Sequence, residues 1–337
     1  MQGEIEQRAQ RPRARPLALP FRFAPSPFPF LLAPSPRSSL LPAIPMRLRL
    51  LYNPASGRGR GARAILGIRA AFARCGFTDV RATTHAGDEA RLVREAIDDG
   101  VETLVVAGGD GTWSNCAIPL AKAGAPMRMA LLAAGTGNDF AKNLGIDPRD
   151  PTSLAERLAD GGVRERRADM GRVDDTWFLN VAGFGFDVHV SHIAARYHRI
   201  KGPAVYVVSA LQGILTYGGL PIGVDGEPPR DHLLAVFSNG AWFGGAFHIA
   251  PGATVDDGRL DAVLIRDVAS LARLPLLARA IGGSHLTSPH VQHRRVTSTT
   301  LTFTERPWFE ADGELRQSAG PTVEVASVPG ALRIVDL

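Results

Sequence analysis

The chain has 337 residues, of which 45% are hydrophobic and 21% charged, with 38 Lys and Arg against 33 Asp and Glu and two cysteines, Cys75 and Cys116. That length suits about two globular domains; the composition excludes a collagen-like or disulfide-framed chain, and no unbroken run of about twenty apolar residues exists to span a bilayer. The net charge of +5 points to anionic partners, yet residues 1–45 carry six Arg and two Glu, a net +4, so the rest is nearly neutral and a nucleic-acid partner loses its main support.

Residues 1–45 also hold ten of the 25 prolines, with almost no periodicity, and are expected to be a disordered leader; a basic arm touching a membrane is the functional alternative. Met46 opens directly onto a strand. Arg47 to Tyr52 alternates as a first strand, and Asn53-Pro-Ala-Ser-Gly57 turns out of it. Gly57, Gly59 and Gly61 lead into a helix with Ile65, Ile68, Phe72 and Cys75 on its apolar face. The stretch GRGRGA fits the dinucleotide pattern GxGxxG/A only formally, because the second strand, Val80 to Thr84, ends in threonines and not in an acidic ribose ligand. An amphipathic helix from Gly87 to Asp98 follows, with Ala90, Val93 and Ile97 inward.

Thr103-Leu-Val-Val-Ala-Gly-Gly-Asp-Gly-Thr112 is the central stretch. Its short β-branched run reads as a buried strand of a parallel sheet. Gly108, Gly109 and Gly111 permit positive φ and leave backbone N–H groups free to converge on an anion, with Thr112 able to cap the next helix. Asp110 inside a phosphate nest would repel the phosphate unless a cation lay between them, which predicts Mg²⁺ and a nucleotide. The next helix is expected to kink or stop at Pro119. Met127 to Ala133 is a fourth strand, ending in Ala134-Gly-Thr-Gly-Asn-Asp-Phe-Ala141, where Gly135, Thr136, Asn138 and Asp139 are further candidate nucleotide contacts. Turns after strands one, three and four converge on one sheet edge in a doubly wound fold.

Beyond about Gly162 the alternation gives way to short strands at Val163–Val173, Trp177–Val181, His232–Ser238, Leu260–Ile265 and Arg295–Thr304, with helices at Ala204–Tyr217 and Ser270–Ile281. Two short strands are expected between Thr322 and Val335. The fold class is α/β, with a Rossmann-like parallel-sheet domain over 46–162, completed by C-terminal strands from about 320 to 337, and a mainly antiparallel β domain over 163–319. His189, His192 and His198, like His285, His290 and His293, lack the spacing of a zinc site.

The motifs NPASG, GGDGT, AGTGNDFA, VDDGRLD and DGE, in this order from Met46 to the C-terminus, resemble the diacylglycerol kinase catalytic family, in particular its bacterial lipid kinases. The resemblance implies an ATP- and Mg²⁺-dependent lipid kinase, cytoplasmic and peripherally associated with the inner face of the membrane, acting on a hydroxyl lipid such as diacylglycerol; it admits a homodimer. It implies that Asn53, Ser56, Gly57, Thr83, Gly108 to Thr112 and Thr136 contact ATP, that Asp110 organises catalytic Mg²⁺, and that Glu314 is the general base. Asp257, with carbonyls of Thr254 and Arg259, resembles a structural Mg²⁺ site of bacterial members. The chain departs from the family at Trp113-Ser114-Asn115, where a residue and then Asn-Glu is common, and at Ala133, where proline is frequent. A kinase of a soluble acceptor such as NAD, or a non-catalytic binding regulator, is the alternative.

Overall fold

The computed structural model describes residues 46–134, 137–145, 149–197 and 203–336, so the leader lies outside the described residues. A strand, turn, helix rhythm opens the fold. It runs through β1 (Leu48–Tyr52), α1 (Ser56–Arg74), β2 (Val80–Ala82), α2 (Glu89–Asp98), β3 (Thr103–Gly108), α3 (Asp110–Lys122), β4 (Arg128–Ala133), α4 (Asp139–Leu144) and α5 (Pro151–Ala159). The strands pair in parallel in the order β2-β1-β3-β4. Every residue of β3 is buried, as a strand covered on both faces requires. One face packs on Ile65, Ile68 and Phe72 of α1 with Leu154 and Leu158 of α5. The other packs on α2 and on Trp113 and Cys116 of α3.

Two local expectations change here. The inward stripe of α2 is Leu92, Val93 and Ala96, rotated from the expected one. Helix α3 does not stop at Pro119 but runs one turn further, and the Pro119 carbonyl accepts from Ala123 N. The missing N–H and the ring of Pro119 act on the preceding turn, at the Asn115 carbonyl, and leave the hydrogen bonds beyond it free to continue the helix.

The remaining elements are β5 (Arg164–Val173), β6 (Thr176–Phe178), β7 (Val181–Gly185), α6 (Phe186–Ala194), α7 (Pro203–Thr216), β8 (Leu220–Val224), β9 (Arg230–Ser238), β10 (Leu260–Arg266), α8 (Ser270–Ile281), β11 (Val291–Val296), β12 (Ser298–Thr302), β13 (Trp308–Ala311), β14 (Glu314–Gln317) and β15 (Thr322–Asp336). They pair antiparallel in the order β14-β13-β7-β9-β8-β12-β15, with β10 and β11 added beside β9 and with β5 and β6 beside β15. Phe178, Phe184, Phe237 and Phe309 fill the core of this half. The expected strand Arg295–Thr304 divides at Thr297, where the chain leaves β10 as its neighbour and takes up β15.

The expected pair of short C-terminal strands is one long strand, β15, with a register shift between Val328 and Leu332. Pro329 lacks an N–H to donate and Gly330 sits at φ +59°, so the strand bulges without ending. β15 lies antiparallel to β5 and β12, then parallel to β4 at Ile334↔Met129. The C-terminal strand therefore completes the parallel sheet and fuses both halves into one sheet of 15 strands among the described residues. Among these residues no helix is long and apolar enough to cross a membrane.

Candidate active site

The C-terminal ends of β1, β3 and β4 are neighbours, which brings their turns together. After β1, the Asn53 carbonyl accepts from Ser56 N and Oγ at 3.1 and 2.8 Å, and Asn53 Nδ2 donates to Thr112 Oγ1 at 3.2 Å and Glu89 Oε1 at 3.3 Å. The first turn is thereby tied to the start of α3. A Cβ on Gly61 would stand 2.2 Å from the Asn53 carbonyl oxygen, so this glycine serves close packing and no dinucleotide fingerprint. Gly57 takes φ +57° inside the first turn of α1. Thr83, buried at the end of β2, donates its N–H to the Tyr52 carbonyl at 3.0 Å.

None of Gly108, Gly109 and Gly111 takes a positive φ. The helix begins at once, with Gly109 as an extended N-cap, so Thr112 is already the third residue of α3 and not its cap, and its hydroxyl accepts from Asn53 Nδ2. Glycine is needed at 108 for another reason: a Cβ there would meet Thr112 Cβ at 2.5 Å. Asp110 opens α3 in its first turn, and its Oδ1 accepts from Phe140 N at 3.1 Å. Burial first, then the charge of Asp139, pushes its carboxyl above the usual range despite that bond.

Gly135 and Thr136 lie outside the described residues. Beyond them, a Cβ on Gly137 would stand 2.9 Å from Asp110 Oδ2 and 3.7 Å from Asp139 Oδ2, so both carboxylates converge on this bare backbone. Asn138 takes the left-handed conformation at φ 53°. Buried Asp139 accepts from Lys142 Nζ and from Gly245 N, each at 2.7 Å. Lys142 also lies 5.1 Å over the Trp242 ring and donates to the Gly245 carbonyl, which fastens the 241–247 loop of the antiparallel half onto α4. Two clustered carboxylates, one of them poorly compensated, fit a divalent cation, which would remove their mutual repulsion.

The DGE hairpin approaches from the other half. Asp312 and Gly313 form a tight turn between β13 and β14 with φ of 48° and 90°, the signature of a two-residue hairpin turn. Asp312 is the buried member. Its Oδ2 accepts from Ser114 Oγ and Leu179 N at 2.6 Å, and its Oδ1 accepts from Asn180 N at 2.9 Å and Val181 N at 3.1 Å. By taking these N–H groups it divides the expected strand Trp177–Val181 into β6 and β7. Glu314 stands exposed at the start of β14, paired with Arg316. The sequence places Asp312 in the DGE turn and Ser114 at a departure from the family, but does not show the bond that joins them.

Asp257 is surrounded otherwise than its expected ligand set implies. Its carboxylate pairs with Arg295 and accepts from Thr254 Oγ1 and Arg259 N, both at 2.9 Å. A guanidinium and an N–H neutralise it, and these residues as arranged do not form a cation cage. No group of three or more His, Cys, Asp or Glu able to hold a metal occurs among the described residues. Among the described histidines, His189 bonds Thr216, His192 meets Trp308 edge-on, His285 is fully buried against the Ile249 carbonyl and His293 pairs with Asp261.

A parallel edge of nucleotide-type turns, faced by an antiparallel half that reaches back onto α3 and α4, defines a two-part kinase architecture. Comparison with known proteins agrees: the family model of the diacylglycerol kinase catalytic domain matches residues 47–173, and that of the YegS C-terminal NAD kinase beta sandwich-like domain matches 180–336. A diacylglycerol kinase of Mycobacterium tuberculosis is 30% identical over 301 residues, 86% of this chain and 94% of its own. A Pseudomonas fluorescens protein named probable lipid kinase YegS-like is 33% identical over 261 residues, 76% and 84% of the two chains. The crystal structure of a diacylglycerol kinase from Bacillus anthracis superposes with a TM-score of 0.66 at 20% identity, covering 87% and 97%, and so shares the fold. The chain belongs to the diacylglycerol kinase family of lipid kinases.

Proposed function

We propose that the protein transfers the γ-phosphoryl group of Mg·ATP to the hydroxyl of a lipid acceptor such as diacylglycerol. The observation that carries this reading is the bond between Ser114 and Asp312. Asp110 and Ser114 are four residues apart in α3 and share one helix face. The hairpin that bears Glu314 is thus anchored one helical turn from the carboxylate pair, across the junction of the two halves. The names of the relatives, a diacylglycerol kinase and a YegS-like lipid kinase, support a lipid as the acceptor.

In this reaction the turns at Asn53, Gly108 to Thr112 and after β4 hold the nucleotide, and Asp110, the carboxylate the fold leaves under-compensated, would hold Mg²⁺, which supplies charge neutralisation on the phosphates. Glu314 accepts the proton of the acceptor hydroxyl. The oxygen lone pair then forms the new P–O bond as the bond to the leaving ADP oxygen breaks, a step that demands alignment above all. A hydrophobic acceptor also requires visits to a membrane surface.

The test is transfer from labelled Mg·ATP to a panel of hydroxyl lipids in mixed micelles, with NAD and sugar phosphates as soluble acceptors and Glu314→Gln in parallel. A phosphorylated lipid from the wild type alone is expected. Phosphorylation of only a soluble acceptor, or ATP binding without any product, would overturn the reading.

A further inference from the structure

Helices α7 and α8 carry apolar side chains on their outer faces as well as on their inner ones. In α8 the inward stripe is Arg273, Leu276 and Ala280, whereas Leu271, Leu274, Ala278 and Ile281 point to solvent, Leu271 with 75% and Ile281 with 54% of its surface exposed. Among the described positions of α7, Ser209, Gly213 and Ile214 are buried, while Val208, Leu211 and Leu215 are exposed, Leu215 at 69%. A helix on a water-facing surface carries charged and polar residues on its outer face instead. One buried charge sits among the apolar residues on the inner face of α8. Arg273 pairs with Asp267 at 2.9 Å, donates to the Ile214 carbonyl at 2.8 Å and lies 5.5 Å over the Tyr217 ring, so α8 is locked to the C-terminal end of α7.

Charge follows the same boundary. The sequence contains no Asp or Glu between Asp187 and Asp225, or between Asp267 and Glu305, the two stretches that carry these helices. Among the described residues of those stretches Arg196 and Arg279 are exposed with no carboxylate partner, whereas Arg273 is buried on Asp267, Arg294 pairs with Glu227 and Arg295 with Asp257. Exposed leucines on helices that carry no carboxylate, with Arg196 and Arg279 exposed beside them, match an anionic lipid interface, where apolar side chains enter the acyl boundary and these two guanidinium groups meet headgroups. The faces also connect to the candidate site. Gly213 of α7 sits against Phe186 and His189 of α6, and His192 of α6 packs on Trp308 of β13, the strand that leads into the DGE turn.

We infer that the outward faces of α7 and α8 are the surface by which the protein lies on an anionic bilayer, with α6 between that surface and the DGE hairpin. The inference rests on the proposed lipid acceptor, which must be drawn from a membrane. It is tested by co-sedimentation with phosphatidylcholine vesicles, with and without phosphatidylglycerol, at low and high salt. The variants are Leu271→Gln/Leu274→Gln in α8, Leu211→Gln/Leu215→Gln in α7, and Leu66→Gln on α1 as an exposed control, each checked by thermal melting.

Wild type and Leu66→Gln are expected to bind the anionic vesicles and to release at high salt, while the α7 and α8 variants lose about tenfold or more in partitioning. Their rates on a short-chain, water-soluble acceptor are expected to be unchanged, and only those on a vesicle-embedded acceptor to fall. Vesicle binding by the α7 and α8 variants equal to wild type would overturn the inference, as would a wild-type dimer that these variants convert to monomer, since a second copy would then cover the face. Should no lipid be phosphorylated while the variants still lose vesicle binding, the docking surface stands and the kinase reading falls.

Discussion

Asp110 in the parallel half and Asp312 in the antiparallel half are both carboxylates at tight turns, and burial pushes both above their usual range. Their partners differ. Asp312 accepts from one hydroxyl and three backbone N–H groups, so both oxygens are occupied by the protein itself. Asp110 has backbone N–H groups of its own neighbourhood and a second carboxylate, Asp139, beside it. A carboxylate saturated by the fold is part of the scaffold, whereas one that burial and a like charge leave under-compensated has capacity for a ligand. The distinction predicts which substitution damages the reaction and which damages the fold.

The largest effect falls on the under-compensated group. Asp110→Asn is expected to lower turnover by at least about a thousandfold, as loss of an electrostatic contributor to phosphoryl transfer does. Its melting temperature should hold or rise, because a group whose folded pKa is raised costs stability when ionised, and the amide removes that cost. Steady-state kinetics and a thermal melt decide it together: a destabilised variant would make Asp110 scaffold like Asp312.

Glu314→Gln sharpens the comparison within one hairpin. The side chain is exposed and paired only with Arg316 in β14 among the described contacts, so stability should move by less than about 0.5 kcal/mol. Turnover should fall by about a hundredfold to ten-thousandfold, the usual contribution of a general base. Unchanged turnover would remove Glu314 from the reaction.

Asp312→Ala inverts this result. It strips partners from Ser114 and from three buried N–H groups and leaves a non-glycine residue at φ 48° without its anchoring side chain. A loss of about 2–4 kcal/mol in urea unfolding is expected. Asp312→Asn keeps an acceptor and tolerates the left-handed conformation, so it should recover part of that loss.

The parallel half was legible in the sequence because its strands are continuous apolar runs and its turns are short glycine motifs, each settled within about ten residues. The antiparallel half was less so. Its element boundaries depend on partners far along the chain: Asp312 divides β6 from β7 across about 130 residues, and β15 is one strand because β5 and β4 pair with it on both sides of its bulge. The roles of the GGDGT glycines were misjudged for a related reason. Positive φ is a local property that glycine advertises, whereas the close approach that requires Gly108 and Gly137 appears only once Thr112 and Asp110 have been packed against them.

A second carboxylate pair lies beside the DGE turn. Glu310 is registered opposite Gly183, and a Cβ on Gly183 would lie 1.9 Å from Asp187 Oδ2, so both carboxyl groups share the bare face of that glycine. Asp187 Oδ2 is buried and has no hydrogen-bond partner among the described residues. Burial pushes Asp187 up to about 7. Burial, followed by the charges of Asp187 and Asp312, pushes Glu310 up to about 8. These groups are acids whose folded pKa values exceed their unfolded ones, so the native state holds more protons than the unfolded chain. The stability this confers is fully present below about pH 4 and is lost as pH rises through about pH 8. The urea midpoint of the wild type should therefore fall between about pH 5 and about pH 9, and Glu310→Gln, which cannot ionise, should flatten that decline and be the more stable protein at the alkaline end. A wild-type midpoint that does not change over this range would mean that the pair is ionised at little cost, and that Asp187 and Glu310, like Asp312, find their compensation within the fold.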